Sequence, residues 1–234
     1  MKISFWQRLL DLVAPRLCVV CGRRLSLTEQ VLCVSCNMHL PRTGFQLEAY
    51  DNMMARLFWG IIPVERAAAL FYYEAASSAS RIIYDLKYHD RPEIGHEMGS
   101  LMASEFSEAG FFDGIDVIVP IPLARSRQWQ RGYNQSLCIA KGISRVTGLP
   151  IYNKVVCRTK FVKSQTQIGY WERQENVEGV FEVKDFAAIR GRHILLVDDV
   201  VTTGATMAAC ARELLKAGDV KISLLSLGFA NSRI

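Results

Sequence analysis

The chain has 234 residues, half of them apolar, with 28 Lys and Arg against 23 Asp and Glu, a net charge of +5 and a pI near 8.8. That apolar share can bury one α/β core plus a small appendage, and so modest a charge permits nucleic-acid contact without demanding it. No run of ~18 apolar residues occurs, which excludes a membrane-spanning helix and makes a cytoplasmic protein the simplest expectation.

The first segment, MKISFWQRLLDLVAPRL, is not a signal peptide, because Gln7, Arg8 and Asp11 interrupt any apolar stretch. Ile3, Phe5, Trp6, Leu9, Leu10, Leu12 and Val13 predict a short helix with one broad apolar face. Such a face is first a packing face on a core, with peripheral contact with a membrane surface as the lesser alternative. Cys18-x2-Cys21 and Cys33-x2-Cys36 follow, with eleven residues between the pairs. Each pair can form a knuckle that offers two thiolates, Gly22 supplies the permissive backbone after Cys21, and four sulfurs close a tetrahedral zinc site. The spacing between the pairs is short for a zinc ribbon, so iron or two disulfides remain open, disulfides being disfavoured in a reducing cytoplasm. Four sulfurs leave no open position, which makes the metal structural, with binding worth on the order of 10 kcal/mol in finger peptides. His39 is surplus to that set, and Cys138, Cys157 and Cys210 read as core thiols.

Pro41 to Gly60 reads as a connection whose Met53, Met54, Leu57, Phe58 and Trp59 pack between modules, dividing the chain into residues 1–60 and 61–234. Beyond it come a strand over Ile62–Tyr73, a helix from Ser77 to Lys87-Tyr88-His89-Asp90, a helix over Glu93–Ala109 and a strand over Asp116–Pro122. Next stand Arg125, Arg127 and Arg131, predicted on a loop beyond the strand end, where guanidinium groups grip phosphate oxygens in pairs. Asn134 caps a helix running to about Val146, and Ile151–Cys157 is a further strand. The long polar segment after it carries Arg158, Lys160, Lys163 and Arg173 with Tyr170 and Trp171 interleaved. That mixture suits a catalytic lid, or a grip on single-stranded nucleic acid by charge and stacking.

The most informative stretch is ILLVDDVVTTGATM. Ile194 to Val197 form an unbroken aliphatic run, as in a strand buried on both faces, with Asp198 and Asp199 at the carboxyl end where open α/β sheets bind ligands. Thr202, Thr203, Gly204, Ala205 and Thr206 then lead into a helix, a loop of small residues whose N–H groups can cradle a phosphate. A Walker loop would need a lysine here and has none. Paired acids beside a phosphate cradle suit a ribose 5-phosphate carrying pyrophosphate with a divalent cation. From average residue usage this pattern arises at random with a probability on the order of 10⁻⁸ per position. Val220–Phe229 closes the sheet.

This stretch resembles the loop of type I phosphoribosyltransferases that binds 5-phosphoribosyl 1-pyrophosphate (PRPP). Pro120-x-Pro122 followed by Arg127-x3-Arg131-Gly132-Tyr133-Asn134-Gln135, and the later run through Ser164, Gln167, Tyr170, Arg173, Asn176, Val177, Gly179 and Phe181, are similar to the ComF (ComFC-like) family of competence proteins. Serine and tyrosine stand where that family has threonine and leucine, so Ser164 and Tyr170 transfer poorly. The resemblance spans nearly the whole chain. It implies a Rossmann-like parallel sheet behind an N-terminal zinc module, with Mg²⁺ bound alongside PRPP. Asp198 and Asp199 would fix the ribose in catalysis, Thr202 to Thr206 the 5-phosphate, and Arg125, Arg131 and Lys87 of the family's "LKY" element would lie at the PRPP site. Arg127, Lys160, Lys163, Tyr170 and Trp171 would meet nucleic acid. The implied role is handling of single-stranded DNA in natural transformation, with a helicase-type DNA-translocation ATPase as partner. A nucleobase-salvage enzyme and a non-catalytic PRPP- or DNA-binding module are the alternatives.

Overall fold

The computed structural model describes residues 15–159 and 179–230, and at Arg125 and Ser126 the backbone alone. The expected N-terminal helix, and Lys160, Lys163, Tyr170 and Trp171, lie outside the described residues.

Four parallel strands form the sheet in the order β1-β6-β5-β2: β1 (Arg66–Tyr72), β2 (Val117–Pro120), β5 (His193–Val201) and β6 (Lys221–Phe229). Parallel neighbours require crossovers, here made by α3 (Ser80–Tyr88), α4 (Pro92–Ser107), α6 (Gln135–Thr147) and α7 (Ala205–Leu215). As the aliphatic run predicted, Ile194, Leu195, Leu196 and Val197 are fully buried. The strand outlasts the run, however: β5 continues through both acids to Val201, with Asp198 opposite Ser226 and Val201 opposite Phe229. Val200 and Val201 extend the ladder because they are β-branched and still have a partner strand. At the amino end of β5, buried His193 is held between the Gly114 carbonyl, 3.1 Å from Nδ1, and Ser223 Oγ, 2.9 Å from Nε2. Burial pushes this imidazole below its ordinary value, and the residue is structural.

Two departures from expectation have local causes. The predicted strand over Ile151–Cys157 divides, because exposed Asn153 and Lys154 turn the chain outward. Ile151 makes one parallel bridge to Ile118, and β3 (Val156–Arg158) pairs instead with β4 (Phe181–Val183) as an antiparallel hairpin. The arginine segment is also a helix rather than a loop: α5 (Arg125–Arg131) ends at Gly132, whose φ of 73° stops it.

The connection from Pro41 onward is built onto the sheet. Arg42 bridges Phe71 in antiparallel register, the Tyr72 N–H donates to Pro41 O at 2.8 Å, and the Thr43 N–H donates to Leu70 O at 3.2 Å. Further along, the Ala67 N–H donates to Ala49 O at 2.9 Å, and the Asn52 amide donates to Ala67 O at 2.7 Å while its oxygen caps α2 (Met53–Arg56). The open edge of β1, a liability if left bare, is thereby closed. Arg42 also forms an ion pair with Glu105 of α4 at 2.6 Å. Past α2, fully buried Phe58 reaches the turn before α7, where a Cβ on Gly204 would lie 2.9 Å from its ring.

Helices α4 and α6 cross with their backbones nearly touching. A Cβ at Gly99 would lie 2.2 Å from Ile139 O, and one at Gly142 would lie 2.1 Å from His96 O. Ser100 Oγ donates to Gly142 O at 2.8 Å and accepts from Arg145 Nε at 3.0 Å across the same crossing. No side chain fits there without moving a helix, and overpacking of this kind costs about 1–3 kcal/mol or more. Gly99→Ala and Gly142→Ala are each expected to lower the unfolding free energy by that amount, read as a lower urea midpoint with little change in slope. An unchanged midpoint would show that the helices can part freely.

Candidate functional site

The site lies at the carboxyl end of β5, where three helices converge. Asp199 is 9% exposed and its Oδ1 lies 2.9 Å from Lys87 Nζ, in the last turn of α3. Asp198 Oδ1 accepts from Ser136 Oγ at 2.9 Å, at the start of α6, and from the Asp199 N–H at 2.8 Å. Two adjacent carboxylates are thus held by one cation and one hydroxyl. Burial, together with the like charge of Asp199, pushes Asp198 up to about 7, against the opposing hydrogen bonds. Such a group is only partly ionised at neutral pH, so an arriving cation favours its ionised form, and its oxygens offer acceptors to sugar hydroxyls.

Beyond Val201, Thr202 and Thr203 are exposed and Gly204 is buried with φ 76°, a left-handed turn into α7. Among the described residues no side chain accepts from the first N–H groups of α7 as a strong cap, although Thr203 Oγ1 lies 3.4 Å from the Ala205 N–H, and its first turn holds no acid. The positive end of the helix therefore faces the loop uncompensated, beside Ala205 and Thr206, and suits an anion.

Of the arginines, Arg127 is exposed and Arg131 half-buried. Arg131 donates to Gln135 Oε1 at 3.1 Å, and its guanidinium lies 5.3 Å over the Tyr88 ring. Arg125 opens α5, and its side chain lies outside the described residues. Lys87, Tyr88, Asp90, Arg127, Gln130, Arg131 and Gly132 line a cleft of about 700 Å³, within the size range of small-ligand sites. Lys87 belongs to both cleft and acid pair, which joins the arginine helix to the end of β5. Sequence reasoning did not single out Ser136, Asp90 or Gln130, since a serine and two ordinary polar residues carry no signal until the fold brings them to this edge.

The sulfurs of Cys18, Cys21, Cys33 and Cys36 all lie within 4.8 Å of one another. The first knuckle is a tight hairpin with Leu17 bridged to Arg24 and Gly22 at φ 71°. The second opens α1 (Val34–Met38), with Cys33 as its cap accepting from the Cys36 N–H. Burial raises the Cys18 thiol, but backbone N–H groups of Cys21, Cys33 and Val20 outweigh it and bring it down to about 7. Burial, with the surrounding sulfurs, pushes Cys36 up. Four sulfurs at this spacing fit a metal site. His39 is not among them, its Nδ1 donating to Ser35 O at 2.7 Å. Arg81 of α3 donates to Val20 O at 2.8 Å, tying this module to the helix that carries Lys87.

A parallel sheet whose strand β5 carries paired acids near its carboxyl end, before a phosphate-type turn, has a counterpart among known families: residues 86–231 match the phosphoribosyl transferase domain. The chain belongs to that family. Among curated relatives, DNA utilization protein YhgH of Escherichia coli (strain K12) is 31% identical over 214 residues, covering 90% of this chain and 89% of its own. Competence protein F of Haemophilus influenzae is 25% identical over 226 residues, covering 91% and 96%, and competence protein ComFC of Bacillus subtilis is 28% identical over 206 residues, covering 88% and 74%. The resemblance to the ComF family is thereby borne out. No helix among the described residues is long and apolar enough to cross a membrane.

The raised Asp198 has a consequence for stability. Its folded value lies above its unfolded one, so its contribution is intact below the ordinary carboxylate value, is lost as pH rises, and is fully lost above about 7. Asparagine keeps an acceptor for Ser136 and Asp199 without the charge. In metal-free buffer the stability of Asp198→Asn relative to wild type is therefore expected to rise from pH 4 to pH 7 and then level off in thermal unfolding. A difference that did not change with pH would show an ordinary carboxyl.

Proposed function

We propose that this chain is a PRPP-binding, phosphoribosyltransferase-like protein that handles single-stranded DNA during natural transformation. The observation that carries the reading is the Asp198–Asp199 pair standing beside the uncapped start of α7, in a chain whose relatives bear competence and DNA-utilization names. Asp198 and Asp199 take the ribose hydroxyls, and Thr202 to Thr206 take the 5-phosphate. Arg125, Arg131 and Lys87 face the pyrophosphate. Mg²⁺ bound with PRPP supplies charge neutralisation of the leaving pyrophosphate. If the site turns over, breaking the anomeric carbon–oxygen bond leaves positive charge on the sugar, which the two acids are placed to stabilise.

The four thiolates leave no open position, so the metal we assign there is a structural zinc. The division at residue 60 belongs to the same reading, with the zinc module before it and the sugar-phosphate unit after it. In this reading Arg127, Lys160, Lys163, Tyr170 and Trp171 meet nucleic acid, a helicase-type ATPase is the partner, and the protein works in the cytoplasm, with peripheral contact at the inner face of the membrane as a further option.

Calorimetry tests the PRPP half. Wild type is expected to bind PRPP with Mg²⁺, and Asp198→Asn combined with Asp199→Asn to abolish it, since amides carry no charge for the metal-bound ligand. Exposed Asp185, which only accepts from the Ala188 N–H, is the control, and Asp185→Asn should bind normally. Equal affinity in wild type and the double variant would refute the assignment. The same preparation, kept reduced, should carry about one zinc per chain, and less than half an equivalent of zinc or iron would remove the metal site.

Filter binding tests the DNA half. Three or four phosphate contacts at about −0.7 each predict a slope near −2 to −3 in log K against log salt. A salvage enzyme would instead show negligible DNA affinity and turn over PRPP with one free base.

A further inference from the structure

The cleft between α3 and α5 contains more than a phosphate site needs. Tyr84 and Tyr88, one turn apart, are 55% and 62% exposed. Their ring centroids are 5.1 Å apart with the planes tilted by 46°, and the Arg131 guanidinium lies 5.3 Å over the Tyr88 ring, so Tyr88 and Arg131 form an aromatic–guanidinium pair at the cleft. Arg127 lines the same cleft without an acid partner among the described residues. Asp90 is there too, with φ 50° and no hydrogen bond or ion pair among the described residues. Planar faces, a free cation and a free acceptor match the parts of a nucleotide: a base to stack, a phosphate, and an exocyclic amine. A pyrophosphate alone would leave Tyr88 and Asp90 without a role, and the charged lining suits no apolar partner.

We propose that this cleft holds one nucleotide unit of a single strand, its base stacked on the Tyr88–Arg131 pair, its phosphate on Arg127 and its exocyclic amine on Asp90. The inference rests on the DNA half of the proposed function and names where a base is received. Because Lys87 both lines the cleft and holds Asp199, the bound nucleotide would lie next to the sugar-phosphate site.

Fluorescence anisotropy with a labelled ten-cytidine single strand tests it, alongside an abasic strand of equal length and dCMP as competitor. Tyr88→Ala is expected to weaken the cytidine strand by roughly 5- to 150-fold, the range supplied by one base stack. Tyr88→Phe should bind like wild type. The abasic strand should be weak with wild type and Tyr88→Ala alike, and the salt slope should not change. Tyr88 is exposed at the last position of α3, so an unchanged melting temperature can confirm that the variant folds. If wild type and Tyr88→Ala bind the cytidine strand equally, the stacking site is overturned and the DNA reading survives. Tyr88-dependent binding of dCMP without binding of the strand would keep a nucleotide cleft and remove the DNA reading. Binding of neither probe to wild type would overturn both.

Discussion

Two neighbouring carboxylates held at the end of a buried strand are the constraint to which the rest of the site answers. Like charges at that distance repel strongly where water is scarce, and Asp199 and Asp198 lie at the end of a strand whose preceding four residues are fully buried. The fold supplies Lys87 to one and Ser136 to the other, and leaves the second acid with a raised affinity for protons. Such a pair lowers the stability of the empty protein and favours whatever brings a cation or hydroxyl donors. The tension is of the kind expected where a binding site takes precedence over stability.

Delivering those two compensating groups depends on the helix crossing behind the sheet. Ser136 is the second residue of α6, and α6 is set against α4 through Gly99 and Gly142 at backbone distance. Lys87 arrives on α3, whose chain leads through Asp90 directly into α4. A helix pair even one methyl group further apart would shift the start of α6 relative to β5. The glycines therefore act on the site without touching it.

Much of this was legible in the sequence, and the remainder failed for identifiable reasons. The aliphatic run Ile194–Val197, the acids after it and the glycine turn into α7 follow from local pattern alone, as do the helix cap at Asn134 and the two cysteine pairs. Lys87 was ambiguous because a lysine at a helix end is usually solvated, and only the approach of α3 to β5 gives it an acid partner. The arginine segment was expected as a loop since RSRQWQR carries no apolar period, yet a chain leaving β2 and stopped by Gly132 can close two helical turns there. The antiparallel cover of β1 by Pro41 to Asn52 was invisible for another reason: a single bridge with scattered hydrogen bonds imposes no alternation on the sequence.

Phe58 beneath Gly204 joins the connection after the cysteine module to the turn that opens α7. The ring leaves no room for the turn to settle backward, so the conformation of the turn and the seating of the ring are one equilibrium. Anything that drew Phe58 out would alter the affinity of the turn for an anion. By thermodynamic reciprocity, an anion on the turn would then change the affinity of that agent by the same factor.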